Sequence, residues 1–219
     1  MTARLNLVVL GKQGAGKGTQ SQRLAERHEL AHVSTGDILR AAVQAGSPLG
    51  LEVKSVLDSG RLVTDDLVNK LVTERLHEPD AAKGCVLDGF PRTIGQAEAL
   101  EQILGSDGVK LCINIDLPDE LVLTRLSARR VCQECGVTYQ DSDVAAISGT
   151  CEVCGGDVVQ RSDDRPEAIK KRLEAFERDT VPLLSFYESR GLLVSVNGDE
   201  SIDEVSAAIE AVLHARGPT

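Results

Sequence analysis

The sequence predicts an α/β fold: a parallel sheet flanked by helices, interrupted by one inserted segment. Three observations predict it. Short aliphatic runs alternate with helix-patterned stretches along the chain, as in a parallel sheet with helical crossovers. The first run opens directly into a glycine-rich loop. Between residues 131 and 159 the alternation stops and cysteines, glycines and polar residues take over.

Composition supports this. The 219 residues suffice for one full core with a small inserted unit. Aromatics are 2% and Trp is absent, while hydrophobic residues reach 42%. The core is therefore aliphatic, which suits strands buried on both faces. A net charge of −10 argues against a nucleic-acid polymer or an anionic membrane as partner. A small anion can still be held where arginines converge. No apolar run reaches transmembrane length, and Leu5 to Leu10 runs into Gly11-Lys12 without a small-residue cleavage site. A cytoplasmic protein is expected.

The elements follow in order. Residues 5 to 10 (LNLVVL) predict a buried strand, Gly11 to Thr19 a turn, and 19 to 29 a helix. Residues 31 to 34 predict a second strand, and 37 to 44 a helix capped by Ser34 or Thr35. Leu67, Val68, Leu71, Val72 and Leu76 have helical spacing, so 65 to 77 is a helix. Cys85 to Leu87 is a strand ending in Asp88-Gly89, 95 to 104 a helix, and Leu111 to Ile115 a strand. Pro118 to Arg130 has acids first and arginines last, as a helix prefers. After the insertion, Pro166 to Tyr187 is helical with a break at Pro182. Leu192 to Val196 is the last strand and Ile202 to His214 the last helix.

The chemistry begins at Gly11-Lys12-Gln13-Gly14-Ala15-Gly16-Lys17-Gly18-Thr19. Glycines let backbone N–H groups turn toward phosphate oxygens, and the following helix points its positive end there. Lys17 can reach the β- and γ-phosphates. This is a P-loop with one departure: Gly18 stands where Ser or Thr usually follows the lysine, so Mg²⁺ is expected to be held mostly by nucleotide and water. Asp88-Gly89-Phe90-Pro91-Arg92-Thr93 follows a buried strand, at the end where such sheets bind ligands. Asp88 can orient Mg²⁺ through water and Arg92 can clamp a phosphate. Arg40 lies one turn past Gly36-Asp37, and Arg125 and Arg129 are spaced i, i+4, as on one helix face. Arg161 precedes Asp163-Asp164, and Arg172 lies on the next helix. Singly, each reads as a solvated surface residue; together they suit phosphoryl transfer, which needs two phosphates held in line by fixed cations. The four histidines (His28, His32, His77, His214) fall outside these motifs, and no dedicated nucleophile is evident.

Cys132-x2-Cys135 and Cys151-x2-Cys154, fifteen residues apart, can close a tetrahedral Cys₄ site. With no open coordination position the metal, zinc or iron, is structural, and it stiffens a segment with too few apolar residues for its own core. Disulfides are the alternative, disfavoured in a reducing compartment. Cys85 and Cys112 stand alone in apolar settings and read as small buried hydrophobes.

GKQGAGKGT (Gly11–Thr19), STGDILR (Ser34–Arg40), LVTD (Leu62–Asp65), LDGFPRT (Leu87–Thr93) and RSDDRP (Arg161–Pro166) resemble, in order and over nearly the whole chain, the motif set of adenylate kinases. The resemblance implies a reversible transfer from MgATP to AMP giving two ADP, made directly between the nucleotides under a closing lid. It implies that Gly14, Ala15, Gly16, Lys17, Gly18 and Thr19 hold ATP phosphates, that Arg125 covers the ATP base, and that Arg129 contacts its phosphates. Thr138 and Tyr139 of the lid and the backbone near Glu200 would also touch ATP. AMP would lie against Thr35, Arg40, the backbone of Arg61, Leu62 and Val63, Gly89, Phe90, Pro91, Arg92 and Gln96. Arg161 and Arg172 would stabilise the transferring group, so Lys17, Arg92, Arg125, Arg161 and Arg172 are the candidate catalytic cations. Asp163 and Asp164 would orient lid arginines, serve the hinge, or cap a helix. Gln13 stands where many relatives carry Pro. The implied architecture is a P-loop core over 1–130 and 160–219, with an AMP-binding segment near 34–63 and a zinc-binding lid near 131–159. A monomer is expected, with structural Zn²⁺, and with Mg²⁺ brought by ATP.

Two other activities are compatible with parts of this pattern. A UMP/CMP kinase would share the core, but such relatives usually have a short lid. A zinc-ribbon module on a nucleotide switch would bind nucleic acid, yet residues 131–160 contain no Lys or Arg and several acids, which opposes a polyanion.

Overall fold

The computed structural model describes residues 4–216. Five parallel strands form the main sheet: β1 (Leu5–Gly11), β2 (Ala31–Ser34), β3 (Gly84–Asp88), β4 (Leu111–Asp116) and β8 (Leu193–Asn197), in the order β2-β3-β1-β4-β8. β1 is central because both its faces are apolar; Leu7, Val8 and Val9 are wholly buried. It pairs on one side with β3 (Val9 opposite Asp88) and on the other with β4 (Val9 opposite Ile113). The loop after β1 therefore emerges at the carboxyl edge where the connections diverge to either side, the usual place for a ligand in such sheets.

The strand alternation builds two cores. Leu7, Val9, Val86, Ile113 and Ile115 face one way. They meet helices α1 (Lys17–His28), α6 (Asp119–Ala128), α8 (Pro166–Ala175) and α10 (Ile202–Arg216) through Leu24, Leu126, Ile169 and Ile209. Val8, Leu10, Val33 and Leu87 face the other way. There they meet α4 (Asp65–Leu76), α5 (Ile94–Leu104) and α9 (Pro182–Glu188) through Val72, Leu100 and Leu183. Cys85 and Cys112 lie in this second core, fully buried, and burial raises both thiols well above the usual range, which makes them inert.

α2 (Thr35–Gln44) is capped by Ser34, whose Oγ accepts the Asp37 N–H. It is followed by α3 (Pro48–Asp58), a helix the sequence pattern did not announce. Ser47 caps it, with Pro48 in the first turn, as helix starts prefer. Gly50 obscured the pattern, and it is needed there: a Cβ would sit 2.0 Å from the Ala42 carbonyl oxygen of α2. After α8 the chain continues as a π-helical turn, Phe176–Thr180, before α9 begins at Pro182, so the expected break falls just ahead of that proline. α1 starts at Lys17 rather than 19.

The inserted segment is a separate three-stranded antiparallel sheet, made of β5 (Arg129–Cys132), β6 (Thr138–Gln140) and β7 (Val158–Val159) in the order β6-β5-β7. A short helix, α7 (Val144–Ser148), crosses it. One expectation is corrected here. Arg125 and Arg129 do not share a helix face, because α6 ends at Ala128 and Arg129 is extended (φ −65°, ψ 134°). It opens β5, opposite Gln140 of β6.

Candidate active site and cysteine centre

The glycine loop joins β1 to α1. Gly11 permits the close packing beneath it, since a Cβ there would lie 2.4 Å from the Ile115 carbonyl oxygen of β4. Gly16, at φ 90°, turns the chain into α1. That helix has no side-chain cap and no acid in its first turn. Its leading N–H groups and positive end are therefore available to an anion. Lys17 is the first helical residue, and its Nζ donates to the Lys12 carbonyl at 2.9 Å. Burial among cations lowers its ammonium to about 7; Asp88 opposes this, while Arg92, Arg172 and Arg129 add to it. Thr19 sits two residues further along α1, and the space over Gly18 is open to Asp88, whose Oδ2 is 3.5 Å from the Cβ position. Asp88 offers at this edge the hard oxygen donors that Mg²⁺ takes.

Beside the loop lies a cavity lined by Thr35, Gly36, Leu39, Arg40, Leu57, Gly60, Arg61, Leu62, Val63, Val68, Gly89, Arg92, Gln96, Arg161, Asp163 and Arg172. It thus gathers most of the residues expected to hold the acceptor. Phe90 and Pro91 are the exceptions: Phe90 is wholly buried in the second core and Pro91 is buried, so neither side chain lines the cavity. Thr35 Oγ1 and Arg92 Nε both donate to the Gly89 carbonyl, at 2.9 and 2.7 Å. Gly60, at φ 73°, lets α3 approach α8; a Cβ would stand 2.7 Å from the Ala168 carbonyl oxygen. Of the apolar wall of Leu39, Leu57 and Val68, only Leu39 lies in a motif.

Arginines from three elements meet between loop and cavity, held by two aspartates. Arg129 donates through Nε and Nη2 to Asp164 at 2.7 and 2.5 Å. Arg161 grips Asp163 in the same two-pronged way, at 2.8 and 2.6 Å. Arg172 Nη1 lies 3.1 Å from Asp163 Oδ2 and 3.2 Å from Asp164 Oδ1. Such planar pairing fixes direction as well as charge. Burial lowers Arg172 to about 9, with Asp163 opposing and Arg161 and Arg129 adding. Burial opposes ionisation of Asp163 too, but Arg172 and Arg161 hold its carboxyl far below the usual range. Among the open readings of Asp163 and Asp164, orienting the arginines matches these contacts.

Arg125 Nη1 donates to the Gly198 carbonyl at 2.8 Å and more weakly to the Gly14 carbonyl at 3.4 Å, joining the last strand's loop to the glycine loop. Glu200 itself points elsewhere, accepting from Asn197 Nδ2 at 3.3 Å. Two further side chains, one from the loop itself and one from β2, lie at this edge. Lys12 Nζ is 2.5 Å from Asp119, and His32 Nε2, buried and without a partner, faces Asp88 Oδ2 at 4.0 Å.

In the inserted sheet the four expected thiols converge, all sulfurs lying within 4.8 Å of one another. Cys132 and Cys154 sulfurs are 3.5 Å apart, and Cys135 and Cys151 sulfurs 3.6 Å. A disulfide needs about 2.05 Å, whereas bonds of about 2.3 Å in a tetrahedral Cys₄ zinc site separate sulfurs by roughly 3.8 Å. The thiols fit the metal and not the disulfide. The Tyr139 hydroxyl is 3.2 Å from Cys151 Sγ and its ring is buried with the cysteines.

Comparison with known proteins agrees over the whole fold. The family model for adenylate kinase matches residues 9–192. The chain is 46% identical over 215 residues to an adenylate kinase of Thermodesulfovibrio yellowstonii, covering 97% of this chain and 100% of that one. It is 45% identical over 212 residues to adenylate kinases of Carboxydothermus hydrogenoformans (95% and 99% covered) and Bacillus mycoides (95% and 98%).

Proposed function

The chain belongs to the adenylate kinase family, and on that premise we propose how its residues carry out the reaction MgATP + AMP ⇌ 2 ADP. It is a phosphotransferase. The observation that supports the reading is that Arg92 and Arg172 of the cavity wall, with Arg129, lie near enough to Lys17 of the glycine loop for their charges to act on its ammonium. A chain of net charge −10 concentrates cations there, between the places for two phosphates.

ATP phosphates lie on the N–H groups of Gly14 to Thr19, with Lys17 at the β- and γ-phosphates. Arg125 lies over the ATP base, and Arg129 on the phosphates. AMP occupies the cavity, its phosphate between Arg92, Arg40 and Arg161 and its base against Thr35, Val63 and Gln96. A phosphate oxygen of AMP attacks the γ-phosphorus in line while the bond to the β-phosphate oxygen breaks, and both products are ADP. No side chain takes the phosphoryl group. Arg161 and Arg172 follow the charge as it spreads over the transferring oxygens. When bound with ATP, Mg²⁺ would supply charge neutralisation on the phosphates, and Asp88 would orient it through water.

The lid, near 131–159, closes as one body over ATP; the core, 1–130 and 160–219, is the floor and carries within it the AMP-binding segment near 34–63. Zinc on Cys132, Cys135, Cys151 and Cys154 stiffens the lid, so that closure excludes water and suppresses hydrolysis. Among the described residues no helix is long and apolar enough to cross a membrane. With clustered free thiols, this supports a cytoplasmic protein, and we read it as a monomer that binds no nucleic acid.

The test is a coupled assay of ADP formation from MgATP with AMP, CMP, UMP and GMP offered separately. Strong turnover with AMP is expected. Turnover with CMP or UMP instead would move the specificity, and transfer to none would defeat the reading.

A further inference from the structure

Gln96 borders the acceptor cavity, is 2% exposed, and has only one amide orientation open to it. Its Oε1 accepts the Arg92 backbone N–H at 2.7 Å. Its Nε2 donates to Asp65 Oδ1 at 2.7 Å. A backbone N–H only donates and a carboxylate only accepts. Turning the amide over would set N–H against N–H and oxygen against oxygen. The carboxylate is itself held: Thr93 Oγ1 donates to Asp65 Oδ2 at 2.7 Å. The same hydroxyl accepts the Gln96 N–H at 3.1 Å.

A primary amide carries two N–H groups and two oxygen lone pairs. Here one of each is committed to the protein. What remains is one donor and one acceptor, side by side and in fixed order. The pairing edge of adenine is their complement, since its ring N1 accepts and its exocyclic N6–H donates. A 6-oxopurine presents the reverse, a ring N–H donor beside an oxygen acceptor, and only the overturned amide would match it. Cytosine shows adenine's order, so the same lock does not act against it.

We propose that Asp65 is a positioning residue for acceptor selection: by holding Gln96 Nε2 it fixes the polarity of the amide edge, which admits adenine and rejects 6-oxopurines. The proposal rests on the reading of this cavity as the AMP site with Gln96 beside the base. Asp65 does not line the cavity and acts only through Gln96.

The experiment measures kcat/KM with AMP, IMP and CMP as acceptors of MgATP. The proteins are wild type, Asp65→Asn, Thr93→Val and Gln96→Ala. IMP differs from AMP only at the edge in question. Asn at 65 can donate as well as accept, so turning the amide over then mismatches only the Arg92 N–H instead of both partners. The AMP-to-IMP ratio is expected to fall about tenfold, the order of one mismatched buried hydrogen bond, while the AMP-to-CMP ratio stays within about twofold. Both ratios falling together would mean a merely loosened pocket and would overturn the proposal, as would no change in either. If Asp65→Asn does not fold, Thr93→Val keeps the carboxylate but frees it, and a shift of about threefold in the same ratio is expected; no shift overturns the lock. Gln96→Ala separates the two levels. If it alters neither the KM for AMP nor either ratio, Gln96 is not at the base, and the underlying reading fails with the proposal. If it moves the AMP-to-IMP ratio while the Asp65 and Thr93 variants do not, the base contact stands and only the lock falls.

Discussion

The floor of the cleft and the lid hold their backbones rigid by different means. The glycine loop rests on wholly buried aliphatic strands, with Val8 and Val9 inside and two layers of helix outside. The lid has a cluster of only five buried residues, two of them cysteines, too small for a core of its own. Four thiols at metal-binding distances take the place of the missing hydrophobic surface. The floor's rigidity is therefore shared with the whole fold, whereas the lid's is local and can be removed without dismantling the sheet. That division suits the proposed closure of the lid as one body over a still floor.

The largest effects should fall on the floor, where charge is placed by the fold itself. Lys17→Ala and Arg92→Ala are each expected to lower kcat by about a thousandfold or more, the scale of removing a fixed cation from a phosphoryl-transfer site. Thermal melting should change little in comparison. Near-normal turnover in either variant would remove the assigned site.

A smaller loss should come from the junction between the two regions. Asp164 is 1% exposed and meets Arg129 at the lid's edge and Arg172 on α8. Asp164→Asn keeps the shape but removes the charge that orients both guanidinium groups. The expected result is a fall in kcat of about tenfold to a hundredfold with a lesser change in the KM for AMP. A change in KM alone would mean that the pair binds acceptor and does not align the lid with the floor.

Metal loss should invert the pattern. Cys132→Ser, or exposure of the wild type to a strong chelator, is expected to lower the melting temperature by several degrees, since about 1 kcal/mol shifts a domain of this size by roughly 2–4 °C. Turnover at room temperature should stay within about threefold. Unchanged melting would rule out a stapling metal; turnover lost as fully as in Lys17→Ala would mean that lid and floor are one mechanical unit.

The same contrast governs what could be read in the sequence. The floor is legible because its chemistry is local: a strand, a glycine loop and a helix are consecutive in the chain, and so are Leu87 to Thr93. The cysteines are legible because ligand spacing is itself local. What escaped reading depends on contacts distant in sequence. Arg129 follows helix-favouring residues, yet β5 pairing with β6 draws it into a strand. The contact between the Tyr139 hydroxyl and Cys151 Sγ is one that no motif announces. α3 had a sound start signal in Ser47-Pro48, obscured by Gly50, whose reason is the approach of α2. The Asp65–Gln96 bond joins α4 to α5 across thirty-one positions, and no motif spacing encodes it.

The smallest effect expected is also the one most specific to the floor. Burial lowers Lys17 to about 7 in the free protein, against about 10.4 in an unfolded chain. Between those values the unfolded chain binds the extra proton, so stability of the nucleotide-free protein gains from rising pH over that window and carries the full penalty below pH 7. A triphosphate on the loop reverses the balance, because nearby negative charge favours the ammonium. ATP binding at pH 8 should therefore take up protons. Calorimetric titrations in buffers of different ionisation enthalpy measure that uptake directly, and Lys17→Met should abolish most of it while Cys132→Ser leaves it intact. Uptake unchanged in Lys17→Met would move the titrating group off the floor. Uptake lost in Cys132→Ser would show that the lid, and not the sheet, sets the electrostatics of the loop.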